Sequence, residues 1–392
     1  MRALIVGAGI GGLAAAVALR LRGWDVALME QAPMLTEVGA GLQISPNGWR
    51  VLDAMGVAAA LSDTAFEPEA IEMRLGVSGR RVFRLPMKGY ASERWGAPFM
   101  HVHRADLQAA LAARLDALAP DAVRTDCTVT GYDSTGAVTL DDGSRVEGDL
   151  IIGADGLHSR IRTQMHGADH PRYTGNVAWR AVVPIAALES SPPPTACIWA
   201  GHKRHAVTTR LRAGRLANFV GMVEEPEPTS EGWRIEGKRE DAAAAFAGWD
   251  PVISGLIAAA PALNRWALFD RAPLPHWHDG RVTLLGDAAH PMLPSMAQGA
   301  VQALEDAWTL AAVLDQAATI EGGLQRYFDL RIDRTARIQA GSAANARMFH
   351  KGSLPGRIAF YGPMALGARL APGLIHARQD WVYRHDVTAA PV

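Results

Sequence analysis

Three short motifs rich in glycine and aspartate, each closing an apolar strand-like run, constrain this chain more than any other feature. The first, IVGAGIGG, carries Gly7, Gly9, Gly11 and Gly12; the second, DLIIGADG, carries Gly153, Asp155 and Gly156; the third, VTLLGDAAHPMLPSMAQGA, carries Gly286 and Asp287. In the first motif each glycine has its own mechanical duty. Gly7 permits a tight turn from strand to helix, Gly9 lets a pyrophosphate approach the backbone, and Gly12 lets helix and strand pack closely. Glu30 stands about twenty residues beyond Gly9, at the end of a second expected strand. A carboxylate there accepts hydrogen bonds from a ribose diol and opposes a 2′-phosphate. Strand, glycine turn, helix and acidic partner together point to a dinucleotide rather than to an ordinary glycine-rich turn.

At 392 residues the chain is long for a single core, so two domains are expected. Hydrophobic residues at 49% and charged residues at 20% describe a packed protein, not a disordered one. The 39 basic side chains balance 40 acidic ones, so charge offers no reason to invoke nucleic acid or an anionic membrane. Cys127 and Cys197 are the only cysteines. They make neither a disulfide framework nor a metal cluster, and a reducing cytoplasm is expected. The N-terminal glycines interrupt the apolar run that a secretory leader needs. No stretch reaches the roughly 18 uncharged apolar residues of a membrane span.

Hydrophobic periodicity gives a strand at 3–6, a helix at 10–22 with Leu13, Ala16 and Val17 on one face, and a strand at 25–30. A helix follows at 104–118, with Leu107, Leu111, Leu115 and Leu118 in register. Short strands are expected at 126–132, 137–140 and 145–147, and a further one at 150–153. From about 173 to 269 the character changes to strand-like segments (177–184, 196–200, 205–211, 215–223) with Pro-rich connections. Segments 71–75 and 80–85 resemble them. Past 282–285 the chain turns helical. The expected division is a discontinuous nucleotide domain (1–70, 100–172, 270–350), a mostly antiparallel substrate domain (71–99, 173–269) and a helical tail (351–392).

A nicotinamide dehydrogenase requires nothing more from the distant sequence, whereas a tightly held flavin needs a second contact zone. Gly286 and Asp287 supply one: an Asp at a strand tip accepts from ribityl hydroxyls. The loop 290–297 then crosses the ring, and a helix beginning near Gln298 aims its free N–H groups at the charge of a reduced flavin. Small residues Gly299 and Ala300 permit close approach. GAGIGG, HRADL at 103–107, GADGLHSRIR at 153–162 and GDAAHPMLPSMAQGAVQALEDA at 286–307 resemble the group A flavoprotein monooxygenases. GAGLQISPN at 39–47, NVAWRAVVP at 176–184 and LANFVGMVE at 216–224 resemble the salicylate hydroxylase branch, which includes 3-hydroxybenzoate and 6-hydroxynicotinate hydroxylases. The resemblance runs nearly to residue 387. It implies an α/β fold: a Rossmann-like FAD-binding domain of the GR2, p-hydroxybenzoate hydroxylase-like type, an inserted mostly antiparallel β-sheet substrate domain, and C-terminal helices.

The resemblance also implies roles. Gly7, Gly9, Gly11, Gly12 and Glu30 hold the ADP half of FAD, with Arg104 at its sugar and phosphate region, Val129 among the cofactor contacts and Asp287 on the ribityl chain. Asp155 serves both FAD and NAD(P)H. Gly39, Ala40, Gly41 and Gln43 flank the isoalloxazine ring on one side; Pro294, Gly299 and Ala300 flank it on the other. No second glycine fingerprint is present, so NADH or NADPH visits rather than stays. Simpler readings stand beside these. Asp155 caps the helix containing Ile161, Arg104 is a surface charge, Arg180 pairs on a sheet face, and His290 is a structural hydrogen-bonding histidine rather than a base.

The substrate side departs from the family. Thr209 stands where many relatives have Tyr, and Ser295 where several salicylate hydroxylases have His. Strand alternation puts Val207, Thr209 and Leu211 on one face and Thr208 and Arg210 on the other. Gln43, Thr209, Leu211, Met292 and Ser295 are the pocket candidates; Gln43, His290 and Pro294 are the catalytic ones. The family chemistry implied is reduction of FAD by NAD(P)H, addition of O₂ at flavin C4a, and transfer of OH from the hydroperoxide to an electron-rich ring. A hydroxybenzoate-type acid or a hydroxylated N-heterocycle is the expected substrate of a monomer or homodimer. The rivals are monooxygenation of a larger polycyclic or non-aromatic compound, and an NAD(P)H oxidase or redox flavoprotein.

Overall fold

All three motifs emerge from neighbouring strands of one sheet. In the computed structural model, which describes residues 1–35, 41–226, 237–350 and 354–389, six strands lie in the order His278–Asp279, Val282–Leu284, Leu150–Gly153, Arg2–Val6, Asp25–Met29, Val123–Arg124. Only the first pair is antiparallel. Strands covered on both faces read as continuous apolar runs, as LIIG and VTL do here. The helix Ile10–Arg20 was expected to bury one stripe. Instead every residue from Gly12 to Leu19 is buried, because it lies between the sheet and the helices Arg104–Leu118 and Gly299–Gln316. The Ala- and Gly-rich sequence makes that crowding possible.

The second sheet has seven strands in the order Asn264–Asp270, Arg172–Pro184, Leu216–Glu224, Arg204–Leu211, Ala196–Gly201, Ala70–Leu75, Arg81–Pro86. Its pairing is antiparallel except between Ala196–Gly201 and Ala70–Leu75. One face packs Trp179, Val183, Trp199 and Phe219 under the helices Arg239–Ala245 and Pro251–Ala259. The apolar run VISGLIAA is helical because Asp250 caps it, accepting from the Val252 N–H at 3.0 Å, with Pro251 at its first turn. The other face carries Ala178 and Met222 against Leu293 of the loop after the third motif. Between the two sheets runs a two-stranded ribbon, Gly41–Ile44 with Met100–His103. The strand expected at 126–132 is observed at Val129–Asp133, in a three-stranded meander, and Val129 is buried in the core. The long helix Ile320–Met348 backs the site, followed by the shorter helices Leu354–Leu370, Pro372–Ala377 and Asp380–Tyr383.

Candidate active site

Gly7 adopts φ +102°, and a Cβ there would meet the Ala154 carbonyl oxygen at 2.6 Å. A Cβ on Gly12 would stand 1.9 Å from the Gly7 carbonyl oxygen, so that turn tolerates nothing larger than glycine. Gly9 is different: a Cβ there would meet nothing within 4 Å, which leaves space beside an uncapped helix N-terminus. Gly11 faces Leu285 and Ala303, a matter of helix packing. Glu30 accepts from the Ala8 N–H at 2.8 Å and the Ala32 N–H at 2.9 Å, while Gln108 donates to the Ala8 carbonyl at 3.1 Å. The fingerprint loop is thus gripped from both sides. Gln108 escapes sequence reasoning because it reads as an ordinary polar helix position.

The second and third motifs are tied together by Arg162. Its buried guanidinium donates to the carbonyls of Leu157 (2.6 Å), Ala288 (3.1 Å) and Asp287 (3.3 Å), and pairs with Asp169. Asp155 is engaged as a cap: its Oδ1 accepts from the Ser159 hydroxyl at 2.5 Å and its Oδ2 from the Arg160 N–H at 2.8 Å. Asp287 is not so engaged. Its half-buried carboxylate has no hydrogen-bond partner among the described residues, and its Oδ1 lies 3.9 Å from where a Gly299 Cβ would be. Gly299 opens an 18-residue helix whose first turn has no side-chain cap. Gly286 takes φ +63°, and its N–H donates to Asp306 at 3.1 Å.

Beneath this turn lies a buried ionic network. Asp306 accepts from Arg331 at 2.8 Å and from His290 Nε2 at 2.5 Å, and Glu305 accepts from Arg331, Arg334 and Asn47. Burial alone would raise both carboxyls. The guanidiniums of Arg331 and Arg334 override it at Glu305, and His290 with Arg331 does so at Asp306, so both stay below the usual carboxylate range. His290 is buried on Asp306 with its ring 5.1 Å from that of Trp277. Gln298 donates to Ser45 at 2.9 Å, joining the helix start to the segment after the ribbon.

On the sheet side, Thr209 accepts from Asn218 at 3.2 Å, and Asn218 in turn accepts from the Gly41 N–H at 3.1 Å. Leu211 also faces Gly41. Arg210 points the opposite way, donating to the Pro192 carbonyl at 3.0 Å. Gln43 projects from the ribbon opposite His101, whose imidazole burial pushes down to about 3. Pro294 starts a short turn, and the Ser295 hydroxyl beside it is buried without a partner among the described residues. Gln339 fixes the loop by donating to the Pro291 carbonyl at 2.9 Å, with Met292 close to Gly299. Val129 is buried in the same core as Val6, Ala8 and Ile10 of the first motif, and Gly39 and Ala40 lie outside the described residues. Arg104 opens its helix; burial, with a smaller contribution from the Arg104 charge, holds Arg180 down at about 10 where it stacks 4.5 Å over Trp266.

Residues 1–340 match the family described as FAD binding domain. The chain belongs to that family. It is 36% identical over 397 residues to the 3-amino-4-hydroxybenzoate 2-monooxygenase PtnB3 of Streptomyces platensis, covering 100% of this chain and 97% of the relative. It is also 36% identical to a 6-hydroxynicotinate 3-monooxygenase of Bordetella bronchiseptica, over 88% of this chain and 91% of that one. Among solved structures, Klebsiella pneumoniae HpxO complexed with FAD and uric acid superposes with a TM-score of 0.83 at 31% identity, covering 96% of each chain. The protein is an FAD-dependent monooxygenase, and its sheets and helices are those of the p-hydroxybenzoate hydroxylase-like fold. No helix among the described residues is long and apolar enough to cross a membrane. The residues present fit FAD: an open approach at Gly9, a carboxylate at Asp287 without a partner among the described residues, and a helix N-terminus beside it with no side-chain cap.

Proposed function

We propose that this protein hydroxylates a small, electron-rich aromatic ring, a hydroxybenzoate-type acid or a hydroxylated N-heterocycle, at the expense of NADH or NADPH and O₂. The observation that carries the reading is the Asp287–Gly299 junction. A carboxylate without a partner among the described residues there meets the positive end of a long helix, so one corner accepts ribityl hydroxyls while the next stabilises negative charge. FAD, when bound, supplies the redox chemistry: it takes a hydride from the nicotinamide and activates O₂.

The chain's own residues do the rest. Gly7, Gly9, Gly12 and Glu30 hold the ADP half, with Gly11 as a packing glycine behind them. Arg104 and Arg180 bring two neighbouring positive charges suited to nucleotide phosphates. Gly41, Gln43, Pro294, Gly299 and Ala300 sandwich the ring, and Thr209, Leu211, Met292 and Ser295 line the substrate side. His290 acts as a positioning residue, since Asp306 holds it beneath the turn. Asp155 sets the geometry of the second motif through Ser159 and Arg160. A cytoplasmic setting and a monomer or homodimer suit this reading. The curated relatives' substrates, 3-amino-4-hydroxybenzoate and 6-hydroxynicotinate, head the panel to test. Turnover under ¹⁸O₂ should place one ¹⁸O atom in the product; incorporation from labelled water instead would overturn the reading.

A further inference from the structure

The charge balance of the whole chain hides a local imbalance. No Asp or Glu falls between Asp333 and Asp380, whereas the same stretch carries Arg337, Arg347, Lys351, Arg357, Arg369 and Arg378. Two of its helices, Leu354–Leu370 and Pro372–Ala377, cover the edge of the second sheet. Tyr361, Met364 and Ala368, spaced three and four apart, form the inner face of the first helix against Met73, Phe83 and Leu85. Gly362, Pro363, Leu366, Arg369 and Leu370 repeat that spacing on the outer face.

A helix packed on a protein surface turns polar side chains outward. This one instead turns out Leu366 at 58% exposure and Leu370 at 70%, and Leu374, at 73%, extends the patch. Leu374 stays at the same corner because the second helix folds back on the first: a Cβ on Gly367 would meet Ile375 at 3.3 Å. Single exposed apolar side chains are ordinary, but three at successive turns mark a contact surface. Arg369 and Arg378 are exposed beside them, and neither meets an acid among the described residues. Asp380, the first acid to follow, is held by Arg94 at 2.9 Å and by the Trp95 indole N–H at 2.7 Å. Bare leucines and uncompensated positive charge therefore share one face.

That combination selects the occupant. A second copy related by a two-fold axis would present the same cations to itself, and like charges there oppose association. A bilayer with anionic headgroups satisfies both parts: its phosphates take the guanidiniums, and the leucines enter the boundary between headgroups and acyl chains. We propose that this C-terminal surface docks the protein reversibly on an anionic membrane, with Leu366, Leu370 and Leu374 as shallow apolar contacts and Arg369 and Arg378 as electrostatic ones. So few contacts make a weak, salt-sensitive anchor, and the protein exchanges between bilayer and solution. The docking is independent of which ring the enzyme oxidises.

The test sediments the full-length, FAD-loaded protein with phosphatidylcholine vesicles, alone or mixed with phosphatidylglycerol. Wild type should bind the mixed vesicles and leave the neutral ones, and added salt should release it. Arg369→Gln and Arg378→Gln should each weaken binding about fivefold, the factor one cation contributes near an anionic surface. Leu370→Ser combined with Leu374→Ser should weaken it at least as much. Flavin content and melting temperature should hold in that variant, because both side chains project into solvent. Equal binding to both kinds of vesicle, binding to neither, or unchanged binding in the variants overturns the proposal. So does sedimentation equilibrium without vesicles that shows a dimer which Leu370→Asp splits into monomers, since the face then belongs to a second copy.

Discussion

The guanidinium of Arg162 donates to the backbone carbonyl of Asp287 at 3.3 Å, across 125 residues of sequence. That bond fixes the third motif against the second, and three further carbonyls and Asp169 share the same side chain. Arg162→Ala should therefore destabilise the apo-protein by about 3 kcal/mol, the scale of leaving several buried acceptors unpaired. Arg162→Lys should recover little of it, because one ammonium cannot span the fork. Urea midpoints of the two variants check both statements.

Asp287→Ala separates cofactor binding from folding. Its carboxylate has no partner among the described residues, so the apo-protein should change by less than about 0.5 kcal/mol. Flavin retained after gel filtration should fall sharply. Undiminished flavin would remove Asp287 from the site.

Glycines 9 and 12 should respond in opposite ways to alanine. A methyl group at Gly9 enters open space, so stability holds while FAD affinity drops. At Gly12 it would stand 1.9 Å from the Gly7 oxygen, so the apo-fold should lose about 1–3 kcal/mol. Thermal melts with and without FAD distinguish the two.

The Glu305–Asp306–Arg331 network should make the protein acid-sensitive. Both carboxyls are depressed in the folded state, so their contribution is full above the unfolded value of about 4 and fades as pH falls below it. Glu305→Gln should lower stability near neutrality and flatten its decline between about pH 5 and pH 3. Urea titrations across that range read the slope.

Much of this architecture is legible in the sequence because parallel strands buried on both faces leave unbroken apolar runs ending in glycine. The helix 104–118 is seen at the same bounds, Arg104–Leu118, and alternation in HAVTTRL separates Thr209 from Arg210. The helix Pro251–Ala259 was missed although Asp250 and Pro251 announce its start. Other features lie beyond any local pattern. That Arg162 joins two loops, that Arg331 neutralises two buried acids, and that His350 reaches His205 across 145 residues are facts of tertiary packing. His290 shows the converse: its place beside the loop suggests a base, yet Asp306, sixteen residues on, claims its Nε2.

The most direct measurement is NAD(P)H consumption by the FAD-loaded protein, with and without hydroxylated aromatic acids and N-heterocycles, scoring peroxide alongside. A hydroxylase should be stimulated by one class of these compounds, with little peroxide released. Peroxide equal to the NAD(P)H consumed, whatever compound is added, would contradict aromatic hydroxylation and leave an NAD(P)H oxidase.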